Sequence, residues 1–537
     1  MNTTVQRNMS LSGEPPAALS AIQKFSVVLG MFGLGVLLLA MFNIDFPNKT
    51  TWLAISLSAI TLGVVIFSYG AYANKSAGIK NDGVYQKSIS SRGLLGWLLG
   101  IALTGFYVVL YFYPQYLGLR NEGDNVGVIA LFDPLSKFLS GNPASQWFVY
   151  GTLYTIAILA FGIKFLWKYR HNRYEVLRTL SVMFFQASFA FIIPEVMARL
   201  NNSEAYNIPY YDLKNIWPLN YYNFEQYRVD GFISSGNLGI FLLLFGIVSI
   251  LVITPILTYF YGKRWYCSWV CGCGGLAETS GDAFRQLSDK SLFAWRVERW
   301  VVHSVLVFSV LMTTAVIHSY LSYDADKYLL NKDTFLISVA VFLGLLFAVI
   351  WYFKKEEFKK DARYGAIGYL AITLGLIGIH YMSGSSVFIF NPETLRSTYA
   401  FLIGSIFSGV IGTGFYPIFG NRVWCRFGCP MAAILGLQQR LFSKFRITTN
   451  GGQCISCGNC STYCEMGIDV RAYAQKGENI IRASCVGCGI CSAVCPRGVL
   501  KLENGSTKGR INSEAVLLGN DVDLLNLIQE NKASHKG

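Results

Sequence analysis

Residues 454–495 open with Cys454-Ile-Ser-Cys457-Gly-Asn-Cys460-Ser-Thr-Tyr-Cys464 and close with Cys485-Val-Gly-Cys488-Gly-Ile-Cys491-Ser-Ala-Val-Cys495-Pro496. Both runs have the spacing C-x2-C-x2-C-x3-C, and twenty residues separate them. A zinc ion takes two pairs of ligands, whereas a [4Fe–4S] cube takes four thiolates and a short C-x2-C-x2-C loop wraps three of them around it. In two-cluster ferredoxins the fourth cysteine of each run crosses to the other cube. The spacing therefore predicts one cluster on Cys454, Cys457, Cys460 and Cys495. It predicts a second on Cys485, Cys488, Cys491 and Cys464. Gly458, Gly487 and Gly489 suit tight loops whose amides point at sulfur. The runs differ at one flanking position: Glu465 stands where the second has Pro496. The spacing predicts a stretch that moves electrons.

The rest of the chain is of another kind. Of its 537 residues, 53% are hydrophobic and only 14% charged, against roughly a quarter charged in soluble domains. Eight of the 13 cysteines lie in the two runs, four more form two pairs, and Cys273 alone falls outside. Such clustering suits metal–thiolate chemistry in a reducing compartment and not a disulfide framework. A net charge of +14 raises nucleic acid as a partner, but the basic residues fall into alternate loops between apolar stretches.

Those stretches, each long enough to span a bilayer, run at roughly 22–43, 51–73, 94–113, 147–167, 179–200, 238–261, 299–321, 333–353, 364–386 and 401–420. Residues 1–21 lack the basic start of a secretory signal, so the first stretch reads as a retained helix. With a cytoplasmic N-terminus the inside loops hold Lys75, Lys80, Lys87 and Arg92, then Lys168, Arg170, Arg173 and Arg178. Next come Lys263, Arg264, Arg285, Lys290, Arg296 and Arg299, then Lys354, Lys355, Lys359, Lys360 and Arg363. The outer segment 201–237 holds only Lys214 and Arg228. Positive-inside bias then puts both termini in the cytoplasm of a multi-pass inner-membrane protein. Tyr206, Tyr210, Tyr211, Trp217, Tyr221 and Tyr222 in that outer segment read as interface anchors or as a docking surface for an external partner. The polar tail holds one amphipathic stretch, 517–528.

Two further cysteine pairs stand at the inner ends of the sixth and tenth stretches. They are Gly262-Lys-Arg264-Trp-Tyr-Cys267-Ser-Trp-Val-Cys271-Gly272 and Gly420-Asn-Arg422-Val-Trp-Cys425-Arg426-Phe-Gly-Cys429-Pro430. Both read G-x-R-x2-C-x3-C, which predicts two copies of one helical unit facing each other at the inner surface. Four thiolates suffice for one additional metal or iron–sulfur centre on Cys267, Cys271, Cys425 and Cys429. Arg264, Arg422 and Arg426 would offset its charge or lower thiol pKa values. A redox-active dithiol, a transient copper site and plain helix packing are the other readings.

A repeated R-x2-C-x3-C at the foot of a span, followed by two ferredoxin runs, resembles the NosR/NapH-type membrane iron–sulfur proteins and their oxidase-assembly and polyferredoxin-like relatives. The resemblance covers residues 170–505 or so. It implies an electron carrier between the quinone pool or a cytoplasmic donor and a respiratory or assembly pathway. The chain departs from that pattern at Gly272, where proline is expected, and at the extra thiol Cys273. No Ser-Gly-Ala-Thr-like flavin-attachment sequence occurs, and the N-terminal spans are additional.

Ionisable residues inside apolar spans are functional candidates. Glu195 and Arg199 in the fifth are spaced for an i,i+4 pair. His318, His380 and His303 raise haem b, and the absence of C-x-x-C-H excludes covalent haem c. The expected architecture is an all-α polytopic membrane protein of ten transmembrane helices with a small α+β dicluster ferredoxin-like module. Its parts are four N-terminal spans (1–168), a six-span core (169–446), the module (447–505) and a tail (506–537). The expected function is electron relay between the module and a quinone-linked membrane partner, with quinol dehydrogenation as the enzymatic version. The alternative is a metal-reducing assembly factor for a respiratory oxidase or reductase.

Overall fold

The computed structural model of the protein describes residues 19–73, 87–201, 207–209, 211–358, 360–383, 391–450 and 452–505, with the short pieces 517–518 and 522–523. The polar start of the chain, Lys75, Lys80, Lys359, Tyr206, Tyr210 and all but those four residues of the tail lie outside the described residues.

Among the described residues, ten helices are long and apolar enough to cross a membrane: Ala21–Met41, Lys49–Tyr72, Leu94–Phe112, Gln146–Lys168, Arg173–Asn201, Gly236–Tyr261, Leu292–Tyr323, Lys332–Lys354, Lys360–Ser383 and Pro392–Ile411. Their starts carry the side chains that satisfy orphan amides. Ser20 and Gln23 form a reciprocal capping box, and Ser145, Ser291 and Asn331 cap the fourth, seventh and eighth spans. Small residues let the first two spans meet closely: a Cβ on Gly63 would stand 2.8 Å from the Gly30 Cα, and Ser56 donates to the Gly33 carbonyl at 2.7 Å.

The seventh and tenth spans depart furthest from the sequence reading, for identifiable reasons. The seventh helix starts seven residues early because Ser291 caps it, and its first two turns carry Arg296 and Glu298 below the apolar zone. The tenth spans Pro392–Ile411 instead of 401–420. Asn391 caps it ahead of Pro392, its second half winds as a π-helix (Ala400–Ile411), and the chain turns through 412–415 into the one-turn helix Tyr416–Phe419. The unbroken apolar run concealed that turn. In the fifth and sixth spans, π-turns at Ser188–Ile192 and Ser249–Ile253 fall just before Pro194 and Pro255. A widened turn accommodates a ring that has no N–H and crowds the preceding turn.

The C-terminal module is closed by an antiparallel pair, Arg446–Thr449 with Leu500–Glu503, in register Arg446↔Glu503 to Thr449↔Leu500. A single bridge adds Ile480 to Ile447. Both cysteine pairs, the module's Ile447, Ile468, Ile480 and Val486, and Met312 of the seventh span belong to one buried cluster. The module is thus continuous with the membrane core. Polar contacts fix the seat: Ser268 donates to the Val486 carbonyl at 2.8 Å, Tyr174 to Gly487 at 2.7 Å and Gln439 to Cys485 at 2.8 Å.

Candidate iron–sulfur centres

The two ferredoxin runs repeat in backbone as well as in sequence. Gly458 (φ 77°) and Gly489 (φ 91°) both adopt the left-handed conformation and open the four-residue helices Asn459–Thr462 and Ile490–Ala493. Gly467 and Gly498 match at φ 65° and 62°, as do Ser456 and Gly487 at 58° and 63°. A left-handed residue between the first two cysteines is what lets the chain fold back around one point.

Cys454, Cys457, Cys460 and Cys495 line one pocket, beside Arg471 and Arg497. Cys460 interacts electrostatically with the other three thiols. On the other side Cys491 interacts with Cys485 and Cys464, and Cys488 with Cys491. The chain therefore brings the fourth cysteine of each run to the first three of the other. Cys491 also reaches Cys460, which joins the two sets. Amides point at these sulfurs: Ile468 N–H lies 3.4 Å from Cys464 Sγ, and Gly487 donates to Cys485. Among the described residues no three His, Cys, Asp or Glu side chains converge on a single-ion site.

The membrane-face pairs are also a structural repeat. Gly262 (φ 66°, ψ −177°) and Gly420 (φ 95°, ψ 171°) share a conformation essentially closed to other residues. Cys271 and Cys429 each cap a helix, Gly272–Thr279 and Pro430–Phe442. The amide of Ala432 points at the Cys429 sulfur, at 3.4 Å. The packing is exchanged between copies. A Cβ on Gly262 would meet Gln439 and Phe445, which follow the second loop, and one on Gly420 would meet Ser288, which follows the first.

All four paired thiols are buried. Cys429 interacts electrostatically with Cys425, Cys267 and Cys271. A hydrogen bond from Cys273 draws the Cys271 thiol down to about 6 against its burial, with help from Gly274 and Lys214. Burial pushes Cys267 up to about 12. Of the three arginines, Arg422 is the one found at a paired thiol, 3.6 Å from Cys425 Sγ. Arg264 turns instead toward the module, over Phe445 and onto Asn504 at 2.7 Å, and Arg426 pairs with Glu298 at 2.6 Å.

Between the paired thiols and the module lies a buried chain of charges that motif reading did not anticipate. Lys168 meets Asp282 at 2.5 Å, Asp282 meets Arg285 at 3.1 Å, and Arg285 meets Glu465 at 2.9 Å. Glu465 pairs with Arg422 at 3.0 Å, Arg422 with Glu278, Glu278 with Arg178, and Arg178 with Glu175 at 2.7 Å. Arg285 and Arg422 both act electrostatically on Cys488. The signal available in sequence was Glu465 itself, a charged residue where the second run has Pro496.

Other candidates resolve differently. His318 and His380 face each other, Nε2 to Nε2 3.4 Å. Arg199 donates to the Phe138 carbonyl. Tyr211 is buried, Trp217 donates to Thr313 at 2.9 Å, and Tyr221 bonds Tyr222, which is exposed, at 2.6 Å.

A family model described as a 4Fe-4S binding domain matches the chain twice, over 243–291 and 400–448. A 4Fe-4S dicluster domain model matches 453–500. The first two matches enclose the two G-x-R-x2-C-x3-C loops and the third encloses both ferredoxin runs. The protein named "Putative electron transport protein YccM" of Escherichia coli (strain K12) is 25% identical over 250 residues. That alignment covers 46% of this chain and 52% of the relative, so the chain spans about half the length of the curated relative it matches. No solved structure matches.

Proposed function

We propose that this polytopic 4Fe-4S membrane protein is an electron carrier of the NosR/NapH type, relaying electrons between its dicluster module and a quinone-linked partner. One cluster would be held by Cys454, Cys457, Cys460 and Cys495, the other by Cys485, Cys488, Cys491 and Cys464. Each supplies a one-electron carrier buried in protein. A third centre would use Cys267, Cys271, Cys425 and Cys429. The basic loops favour a cytoplasmic module and two cytoplasmic termini. The same division assigns 1–168, 169–446 and 447–505 to the N-terminal spans, core and module. The observation that carries the relay is Arg422. It touches Cys425 of the membrane-face group at 3.6 Å and Glu465, the residue after Cys464, at 3.0 Å. The named electron-transport relative points the same way.

A metal-reducing assembly role has one observation in its favour, the Cys271–Cys273 thiol contact, which draws the Cys271 thiol below its ordinary value. Redox titration of purified protein followed by EPR, with a quinol analogue and then with Cu(II), separates the two. Relay requires cluster reduction by the quinol or reoxidation by the quinone. Clusters that exchange electrons with Cu(II) alone overturn it.

A further inference from the structure

We propose that a cavity of about 580 Å³ between the first four spans and the helix after the first cysteine pair is the binding site for an isoprenoid quinone. The identity of the occupant rests on the relay reading; the place rests on the following geometry.

The cavity is of the size that encloses a ring headgroup and part of a tail. Val27 and Met31 of the first span belong to its wall and are 44% and 59% exposed. The cavity therefore opens sideways, where a membrane places lipid, and its occupant arrives from the bilayer. Its other end is polar. Lys164, Lys168 and Asp282 line it, and Asp282 begins the buried charge chain that ends beside the module. Ammonium groups and phenols donate to carbonyl oxygens, and aromatic faces hold a flat ring. An acyl chain would use neither feature.

The wall nearest the thiols is the helix Gly272–Thr279. Leu276 and Ser280 line the cavity, and Cys273 precedes them by three and seven residues, on the same face. Cys273 is the one residue of that helix that is not buried. Tyr107, Tyr150, Tyr154 and Tyr416 line the cavity, and all four interact electrostatically with Cys273. The thiol left over from every motif thus stands between the cavity and Cys271. A second cavity, of about 670 Å³, lies under the module and is lined by Arg264, Lys501 and Asn172. It is the competing location.

The test is photolabelling of the full-length protein in lipid nanodiscs with an azido-ubiquinone, with peptides mapped by mass spectrometry. Label is expected on 99–107 or 150–164, competed by excess decylubiquinone. Ala157→Trp in the fourth span and Leu103→Trp in the third each add bulk to the cavity lining. Either should reduce labelling at least tenfold while the cluster EPR signals persist. Label on Tyr174, Trp265 or Trp269, label unchanged in both variants, or label competed by phospholipid but not by decylubiquinone overturns the site. The two readings fail separately. Quinol reduction of the clusters that survives both substitutions overturns the site and keeps the relay. Competed labelling here without any quinol reduction keeps the site and overturns the relay.

Discussion

Arg422 and Glu465 form a fully buried ion pair, Nη2 to Oε1 3.0 Å, that joins the second membrane-face cysteine loop to the residue following Cys464. Glu465 also pairs with Arg285 and accepts from Asn421 at 3.2 Å. Burial opposes ionisation of this carboxyl, yet Arg422 and Arg285 hold it down at about 2. Its folded value lies below the ordinary 4.5, so its contribution is full above that pH and fades as pH falls toward 2.

Glu465→Gln should therefore be costly. It leaves two buried guanidinium groups without their shared counter-charge, and breaking such a pair from one side costs about 3–5 kcal/mol. Thermal unfolding should show the loss at pH 7. The uncompensated positive charge near Cys488 should also raise the midpoint potential of the adjacent cluster in an EPR titration. A variant with unchanged stability and potential would mean the pair is electrostatically idle.

The crossed arrangement of the runs makes a separate prediction. Cys495→Ala should remove the same EPR signal as Cys454→Ala, and Cys464→Ala the same signal as Cys485→Ala. Iron and acid-labile sulfide should fall by about one cube in each single variant, since each run supplies three ligands to one cube and one to the other. Loss of Cys495 together with the Cys485 signal would show that each run serves one cube alone.

Gly262 and Gly420 should tolerate no side chain. Their backbone lies in a region essentially reserved for glycine, at a cost of order 1–3 kcal/mol for other residues. The space is also taken: a Cβ would stand 2.6 Å from Gln439 Oε1 at the first and 2.5 Å from Ser288 Oγ at the second. Alanine at either should lower the thermal midpoint. Because each glycine packs on the segment following the other copy's helix, each should also loosen the opposite loop, read as faster hydrogen exchange near 439–445 and 285–288 respectively. Loosening confined to the mutated loop would contradict the exchanged packing.

Much of this was written in local sequence. Spans announce themselves because lipid-facing helices are apolar on every side. The ferredoxin runs announce themselves because three ligands must come from one short loop. What was not legible arose from contacts distant in the chain. The pairing of Arg285 with Glu465 spans 180 residues, and no spacing rule connects them. Glu465 looked like a lapse in the repeat and is instead the member that anchors the module. Arg264 and Arg426 sit beside cysteines in sequence, yet their side chains reach away to Asn504 and Glu298. Adjacency along a loop says little about direction. The turn after Ile411 stayed hidden because a chain buried among apolar neighbours can break its helix without changing composition.

The last prediction concerns whether the membrane-face thiols act as one. Cys267 and Cys425 occupy equivalent positions in two copies of one loop, both are buried, and each acts electrostatically on the other. If they share a centre, Cys267→Ser and Cys425→Ser should each abolish the same spectroscopic signal. The double variant should then be no worse than either single one, the non-additivity expected of groups that act as a unit. Independent dithiols would give two separate partial losses that add. Metal analysis closes the case: about four additional irons per chain in the wild type, absent from either single variant, is expected of a third cube. Additive losses with unchanged iron would assign these cysteines to thiol chemistry.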